Sequence, residues 1–491
     1  MGFLESLASV SNYKKTENGA FALESSGNNL LDAFATLGAM RNRSTNDLIN
    51  TFSLAYAEDR LLAMKLLFYI RDARGGVGER DIFRILVNWM AKNHPADIKV
   101  NLSLIPEYGR WDDLYAFIET PMAGDAFNIM KEQFDKDLLA LSEGKPVSAL
   151  AKWLKSENTS SKVTVKLGKM TRIAFGLTKP EYQKKLSMLR RAIDVVETKM
   201  SANEWGEIKY EGVPSYAAKN YANAFRRHDE ERYTEFLNKV EKGEAKINAA
   251  TLFPYDLVRE YGYGYWTKKA DLNPTIEAQW KSLPNYVTDE KKFLVMADTS
   301  GSMTGLPMET SVSLAIYFAE RNTGAYHGKF ITFTEKPRFF NLNDNLSLRE
   351  RINLVLKEEN VGYNTNLEAA FELVLNSAIE GKVPQEELPE AILVISDMEI
   401  DEFGQGKKNT TFTKEMESRF ASAGYKMPVL VYWNVNARQS TFHAEADDNV
   451  RFVSGSSAAI FKGLCEHMGL SARELMLNVL NSERYSAVKI L

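Results

Sequence analysis

Two patterns of hydrophobic and polar positions divide the chain. From about residue 28 to 280 apolar residues recur at helical spacing, and runs typical of strands are scarce. Residues 59–70 are apolar nearly all round, which predicts a buried helix; glycines within 71–80 end it, and a second helix begins at 81–90. Helix pairs of this kind stack in α-solenoids, so the first half is predicted to be a helical-repeat domain.

After Pro274 and Pro284 the pattern changes to an alternation of strands and helices. Apolar runs predict strands at 293–297, 329–334, 391–396, 428–433 and 450–454. Amphipathic segments predict helices at 308–321, 348–357, 367–379, 413–423 and 471–481. This order favours a parallel sheet with helices on both faces.

The predicted architecture is α + α/β, with two domains behind a short tail. Residues 1–27 mix Ser, Asn, Lys and Gly with little periodicity, and they are expected to form a flexible N-terminus. Residues 28–285 form the predicted helical domain, and residues 286–491 form the predicted α/β domain. At 491 residues the chain is long enough for two separate cores.

Composition narrows the class of protein. Hydrophobic residues make up 44% of the chain, and no apolar run approaches the ~20 residues that span a bilayer, so no membrane segment is predicted. The single cysteine, Cys465, excludes an intrachain disulfide framework and fits a reducing compartment, which predicts a cytoplasmic protein. The five histidines are scattered, and there is neither a Gly-x-Ser-x-Gly motif nor a partner motif for Cys465. We therefore predict that the protein is not an enzyme.

The strongest chemical signal lies directly after the first predicted strand of the second domain. Asp298, Ser300 and Ser302 occupy alternate positions in the turn that follows this strand. One carboxylate and two hydroxyls at that spacing can converge on a hard cation, since such ions take oxygen ligands. Taken alone, so short a motif also occurs by chance in a strand and turn that bind no metal.

Two further oxygen donors occur downstream. Thr365 precedes a predicted helix, and Asp397 follows the third predicted strand. Ligands of open α/β sheets bind beyond the carboxyl ends of the strands, which is where both Asp298 and Asp397 fall. The five positions together resemble the metal-ion-dependent adhesion site of von Willebrand factor A domains. Asn366 stands where many relatives of that kind carry Asp, and we do not count it among the ligands.

Six local strings carry a wider resemblance. They are YIRDARGGVGER at 69–80, IPEYGRWDD at 105–113, AKWL at 151–154, VPSYA at 213–217, AFRRHD at 224–229 and YWNVN at 432–436. Together they resemble the TROVE/von Willebrand factor A family, typified by the Ro autoantigen, and within it an uncharacterised, DUF-labelled branch. The resemblance implies a HEAT-like α-solenoid closed into a ring, followed by a Rossmann-like von Willebrand A domain. It also implies structured or misfolded non-coding RNA as the partner of the ring.

The adhesion-site resemblance implies Mg²⁺ or another divalent cation as the cofactor. Ser300 and Ser302 would coordinate through their hydroxyls, and Asp298 and Asp397 would hold the ion directly or through water. Thr365 would be a further ligand or an anchor for water. Magnesium often keeps part of its coordination for water, so such a site can leave one position for a carboxylate or phosphate of a partner.

Residues 151–200 carry the strongest charge asymmetry, with twelve basic and four acidic groups in a chain of net charge −4. One helix is predicted over 184–200, with a preceding basic run at spacings of three to four. The candidate RNA-binding residues are Lys162, Lys166, Lys169, Arg172, Lys184, Arg191 and Lys199. A face of this kind would bind phosphates with salt-dependent affinity. A solvated helix face is the alternative.

The first resemblance string has two interpretations. Arg71, Arg74 and Arg80 surround three glycines and could form an anion-binding nest. Alternatively, these arginines pair with Asp side chains inside a helix hairpin. For Asp112 and Asp113 beside Arg110 we expect a structural salt bridge.

Three functions remain open from the sequence. The first is an RNA-binding ring, favoured by the basic segment and the family resemblance. The second is a protein-interaction scaffold in which the metal site captures an acidic residue of a partner, favoured by the five-residue metal site and the near-neutral charge. The third is a component of a metal-dependent enzyme complex.

Overall fold

The computed structural model describes residues 12–193, 195–262, 271–287, 292–357, 362–403, 411–446, 448–467 and 469–491. Residues 1–11 of the predicted flexible N-terminus therefore lie outside the described part. The contacts within the chain separate two compact units. Unit 1 comprises the chain up to Leu66, Gly75–Val77 and Ala249–Ser482, and unit 2 comprises Leu67–Arg74, Gly78–Asn248 and Glu483–Leu491.

The elements of both units are numbered along the chain. The strands are β1 (Tyr13–Lys15), β2 (Phe21–Leu23), β3 (Phe293–Asp298), β4 (Lys329–Phe333), β5 (Arg338–Asn341), β6 (Ala391–Ser396), β7 (Val429–Asn434) and β8 (Val450–Ser454). The α-helices are α1 (Asn29–Thr36), α2 (Thr45–Glu58), α3 (Arg60–Arg71), α4 (Arg80–Asn93), α5 (Pro95–Lys99), α6 (Ile105–Tyr108), α7 (Ala123–Ser142), α8 (Leu150–Trp153), α9 (Lys162–Ala174), α10 (Lys179–Ala192), α11 (Val196–Ser201), α12 (Ser215–His228), α13 (Glu230–Glu241), α14 (Pro254–Tyr261), α15 (Pro274–Lys281), α16 (Leu306–Arg321), α17 (Leu348–Val355), α18 (Leu367–Gly381), α19 (Phe412–Ser422), α20 (Ile460–Glu466) and α21 (Ala472–Leu480).

A six-stranded sheet forms the centre of unit 1, in the order β5–β4–β3–β6–β7–β8. All neighbours pair in parallel except β5, which pairs antiparallel with β4. The central strands β3 and β6 are buried along their whole length, as continuous apolar runs in a parallel sheet are expected to be. The predicted parallel α/β sheet is confirmed, and β5 is an edge strand that the hydrophobic pattern did not reveal.

The N-terminal residues that the structure describes are ordered. β1 and β2 form an antiparallel hairpin, and Leu23 exchanges two backbone hydrogen bonds with Phe442, at 2.8 and 3.0 Å. The expected flexible tail is therefore wrong for residues 12–27. Strands of three residues are too short to show periodicity, and the partner that orders this hairpin lies more than 400 positions away.

The compact units do not follow the predicted division at residues 285/286. The segment around α1 joins unit 1, where Ser454 of β8 donates its hydroxyl to the carbonyl of Phe34 (2.9 Å) and accepts from the N–H of Gly38 (3.1 Å). Residues from Ala249 onward also join unit 1, and Trp280 donates its indole N–H to Glu320 of α16 (2.7 Å). The order of elements along the chain does not reveal that segments so far apart in sequence pack into the same unit.

The regular secondary structure of unit 2 is entirely helical in the residues that the structure describes. The unit includes the C-terminal segment from Glu483. Arg484 contacts the fully buried carboxylate of Asp72 through both Nε and Nη2, the latter 2.6 Å from Asp72 Oδ1. The HEAT-like arrangement of these helices stays a prediction. No helix in the described part of the chain is long and apolar enough to cross a membrane.

Candidate metal centre

Asp298 ends a strand whose residues are all buried. β3 is apolar over its first five residues and carries Asp298 to the carboxyl edge of the sheet, where the residue is fully buried. Its Oδ1 accepts a hydrogen bond from the backbone N–H of Ser300 (2.9 Å), and its Oδ2 accepts one from the hydroxyl of Ser396 (2.6 Å). These two bonds hold the carboxylate at the start of the turn.

The two predicted hydroxyl ligands are neighbours in this turn. The Oγ atoms of Ser300 and Ser302 are 3.1 Å apart, and a short 3₁₀ turn over Gly301–Met303 brings them together. Ser300 also pairs with Gly362 through an isolated parallel bridge. The segment that leads to Thr365 therefore runs beside the turn.

Thr365 is held by its backbone, whereas its buried hydroxyl has no hydrogen-bond partner among the described residues. Its N–H donates to Asp401 Oδ2 (3.0 Å), and its carbonyl accepts from the N–H of Asp401 (3.0 Å). The residue is 1% exposed, and no described residue hydrogen-bonds its Oγ1. The next side chain, Asn366, caps α18 by accepting from the N–H of Ala369 (2.9 Å), so its carbonyl oxygen already has a role.

Asp397 follows β6, and the parallel register of β3 and β6 brings it to the same edge as Asp298. Its Oδ1 accepts from the N–H of Glu399 (3.1 Å), and the side chain of Ser302 also hydrogen-bonds this carboxylate. Its Oδ2 has no hydrogen-bond donor among the described residues, although Arg438 Nη2 lies 3.1 Å away. The guanidinium of Arg438 therefore forms an ion pair with this oxygen, but its N–H bonds are poorly aligned for a hydrogen bond.

Burial dominates the electrostatics of both carboxylates. It raises the pKa of Asp298 to about 7, an effect increased by the charge of Asp397 and opposed by hydrogen bonds from Ser300 and Ser396. Burial also raises the pKa of Asp397, against the opposing effect of the Arg438 guanidinium. A cation between two such groups would favour their ionised forms.

The donor set fits a hard divalent cation. Carboxylate and hydroxyl oxygens are ligands that Mg²⁺ accepts, and this ion usually keeps some of its waters. Buried polar atoms are normally hydrogen-bonded, yet Thr365 Oγ1 and Asp397 Oδ2 have no hydrogen-bond partner in the part of the chain that the structure describes. Within the described ranges no group of three or more His, Cys, Asp or Glu side chains is arranged to hold a metal, so this site would depend on its hydroxyls.

The sequence patterns did not indicate three residues that lie around the site, namely Ser396, Glu399 and Arg438. Ser396 immediately precedes Asp397 at the end of a strand, and its position could have suggested a role at the sheet edge. Glu399 is fully buried and accepts a hydrogen bond from the hydroxyl of Thr441 (2.9 Å). Neither Glu399 nor Arg438 stands in a motif that points to the site.

The candidate RNA-binding residues of α9 share one exposed face. Lys162, Lys166 and Lys169 lie four and three positions apart and are all exposed, and Ile173 continues the same face at 59% exposure. Lys166 lies 3.6 Å from Glu119, an exposed pair. Arg172 differs, because its Nε is 2.7 Å from Glu157 and its Nη1 donates to the carbonyl of Leu177 (3.1 Å).

The remaining basic candidates do not form the predicted single face. Lys184 and Arg191 are exposed on α10, which ends at Ala192, whereas Lys199 lies on the separate short helix α11. The continuous helix predicted over 184–200 is therefore wrong. The predicted apolar stripe is buried at its first residue, Leu186. The helix that carries it nevertheless ends with α10, and periodicity alone does not mark this end.

The arginine and aspartate motifs of unit 2 form a buried ion-pair cluster. Asp113 is fully buried and accepts hydrogen bonds from Arg71 Nε (2.7 Å), Arg84 Nε (2.7 Å) and the backbone N–H of Arg110 (2.9 Å). The expected structural salt bridge is confirmed for Asp113. Two of the strings that carry the family resemblance thus meet in one packing interaction.

Two domain families match the chain, one over each part of its length. The profile of a domain of unknown function, DUF2828, matches residues 16–141 and 143–293, which is more than half of the chain. The chain belongs to the DUF2828 family. A second domain of unknown function, DUF7788, matches residues 292–487 and so contains the whole candidate metal centre. The two matches meet at the start of β3.

A viral relative shares nearly the whole length of this DUF2828 protein. The uncharacterized protein L728 of Acanthamoeba polyphaga mimivirus is 29% identical over 511 aligned positions, which cover 96% of this chain and 88% of the viral protein. The similarity therefore includes both matched regions. The resemblance to TROVE and von Willebrand A proteins stays a prediction.

Proposed function

We propose that this DUF2828 protein is a non-catalytic, cytoplasmic RNA-binding protein of the TROVE/von Willebrand A kind. Unit 2, as a HEAT-like solenoid, would bind structured or misfolded non-coding RNA through its basic helices. Unit 1, as a von Willebrand A domain, would hold Mg²⁺ or another divalent cation at the strand ends. The observation that carries the RNA assignment is the row of exposed lysines along α9.

The cation assignment is supported by two buried oxygens, Thr365 Oγ1 and Asp397 Oδ2, to which no described residue donates a hydrogen bond. With the hydroxyls of Ser300 and Ser302 and the carboxylate of Asp298, they complete an all-oxygen set suited to Mg²⁺. A bound ion would supply one open position for an acidic group. The chain itself would orient that position, through the bonds that hold Asp298 to Ser300 and Ser396.

The RNA assignment is tested by reversing the charge of the lysine face. We expect a triple change of Lys162, Lys166 and Lys169 to Glu to weaken binding of a fluorescent hairpin RNA and of a single-stranded RNA. Loss of three phosphate contacts should reduce the salt slope of log K by about 2 for single-stranded RNA. Fluorescence anisotropy at several salt concentrations measures both quantities.

A matched control changes the same charge elsewhere in unit 2. Lys239, Lys242 and Lys246 are exposed around the end of α13, and their triple change to Glu should leave RNA affinity within about twofold of its original value if the contact is local. Equal losses in both triple variants would indicate a diffuse electrostatic effect and would contradict the α9 assignment. A wild-type protein that binds neither RNA would refute the proposed function.

A second candidate function is a metal-dependent protein-interaction scaffold. Tyr363 favours it, because this aromatic side chain is 90% exposed and its Cδ1 would lie 3.8 Å from a Cβ placed on Gly301 of the metal-site turn. A bound cation would accept a carboxylate of a partner protein, and exposed tyrosines are enriched in the hot spots of protein interfaces. A partner retained in Mg²⁺ and released by EDTA, and lost on Tyr363→Ala, would favour the scaffold over RNA binding.

A further inference from the structure

The turn of the N-terminal hairpin lies against the segment that carries Asp397. Residues 16–20 connect β1 to β2, and residues 397–401 follow β6. Hydrogen bonds of 2.7 to 2.8 Å and one antiparallel bridge join Thr16 to Ile400, Glu17 and Asn18 to Glu399, and Gly19 to Asp401. The hairpin turn is thus part of the wall of the candidate metal centre within unit 1.

Arg438 connects this turn to the metal centre. Its Nη1 lies 2.8 Å from Glu17 Oε2, and its Nη2 lies 3.1 Å from Asp397 Oδ2. Its Nε is buried and has no hydrogen-bond partner among the residues described. Within the described ranges Asp397 Oδ2 also lacks an aligned donor, so the guanidinium is held between two carboxylates mainly by charge.

A divalent cation and Arg438 would compete for the same oxygen. Mg²⁺ binds carboxylate oxygens at about 2.1 Å and demands near-octahedral geometry, so it cannot share Asp397 Oδ2 freely with a guanidinium. Two positive groups a few ångströms apart in a buried site also repel each other strongly. Arginine cannot relieve this repulsion by losing its proton, so its side chain has to withdraw from Asp397. Glu17 is the carboxylate already placed to retain it.

We propose that Arg438 is an internal competitor of the divalent cation at Asp397, and that Glu17 sets how firmly Arg438 is held away from that carboxylate. The inference rests on the cation site proposed above. It makes Glu17 and Arg438 affinity-determining residues although neither is a ligand. It also makes the N-terminal hairpin a regulator of the metal centre.

The proposal predicts changes of opposite sign at the two residues. Arg438→Gln removes the competing charge, so Mg²⁺ should bind about tenfold more tightly, a size typical of coupling between two sites. Glu17→Gln releases the guanidinium to pair with Asp397 alone, so Mg²⁺ should bind about fivefold more weakly. A purely structural role would instead weaken binding in both variants.

The measurement is isothermal titration of the metal-stripped full chain with MgCl₂. Arg438→Lys keeps the positive charge and should remain close to wild type, which separates charge from a loss of shape. As matched controls, Arg419→Gln and Glu372→Gln remove the same charges from an ion pair of 2.8 Å between α18 and α19, and they should leave Mg²⁺ affinity unchanged. Circular dichroism verifies that every variant is folded.

The possible outcomes separate this inference from the proposed cation site. Tighter binding by Arg438→Gln together with weaker binding by Glu17→Gln supports the proposal. Arg438→Gln that binds Mg²⁺ as wild type does, or more weakly, overturns it, and so does Glu17→Gln that binds more tightly. If wild type and all folded variants take up no Mg²⁺, the cation site itself is refuted and the inference fails with it.

Discussion

Replacing Thr365 by valine tests the metal centre without a change of charge and with little change of shape. Thr365 is 1% exposed, and its Oγ1 has no hydrogen-bond partner in the described structure. Its two backbone hydrogen bonds with Asp401 do not involve the hydroxyl, so Thr365→Val keeps them. The substitution therefore removes a single oxygen atom. Without metal this oxygen lacks a hydrogen-bond partner among the described residues, and with metal it is a candidate ligand.

These two roles predict opposite changes in the free energy of unfolding. A buried polar group without a partner costs about 1–3 kcal/mol, so in EDTA Thr365→Val should stabilise unit 1 by about 1 kcal/mol. With free Mg²⁺ at 100 times the wild-type Kd, wild type gains about 2.7 kcal/mol by mass action. A variant that binds Mg²⁺ 100-fold more weakly gains only about 0.4 kcal/mol at that concentration. Wild type should then be the more stable protein by about 1 kcal/mol.

Hydrogen exchange measured by mass spectrometry suits this test, because it reports the opening free energy of β3 and β6 separately from unit 2. Thr413→Val is the matched control. Thr413 is also fully buried, but its Oγ1 is 2.8 Å from both the hydroxyl of Tyr432 and the carbonyl of His443. Losing these bonds should destabilise the control by about 1–3 kcal/mol in EDTA and in Mg²⁺ alike.

Two results would contradict the assignment of Thr365 as a ligand. If Thr365→Val loses stability in EDTA as the control does, the hydroxyl of Thr365 has a partner after all. If Mg²⁺ protects wild type and Thr365→Val equally, this hydroxyl is not a ligand.

The remaining predictions concern stability. Asp113→Ala should cost unit 2 about 3–5 kcal/mol, because Arg71, only 3% exposed, would keep a buried charge without a counter-ion. Arg80→Ala, which breaks an exposed pair with Asp81, should cost less than about 1 kcal/mol in the same exchange measurement, and equal costs would contradict the buried-charge argument. Burial lowers the pKa of His443 to about 4, whereas an unfolded histidine titrates near 6.5. The folded state therefore binds fewer protons, and the stability of unit 1 present above pH 6.5 should fall by up to about 3 kcal/mol as the pH drops to 4. His443→Gln should flatten this dependence in urea unfolding at pH 7 and pH 4.5, and an unchanged slope would show that other groups cause it.

Local signals predicted the α/β half of the protein closely. The apolar runs at 391–396 and 450–454 coincide with β6 and β8, and the helix predicted at 471–481 matches α21, where Ser471 Oγ accepts from the N–H of Glu474 (3.3 Å). Such features depend on residues a few positions apart. The helix predicted over 184–200 shows the limit of the same reasoning, because an apolar stripe can continue through a break between α10 and α11.

The order of strands and helices and the placement of Asp298 and Asp397 at strand ends can be predicted from local sequence, since periodicity and strand direction follow from neighbouring residues. The surroundings of those carboxylates, in contrast, depend on the tertiary fold. Glu17 reaches Glu399 across 382 positions of the chain, and Arg438 reaches Asp397 from the loop after β7. Contacts between such distant residues leave no local pattern, because they depend on how the packed elements meet rather than on which element each residue forms.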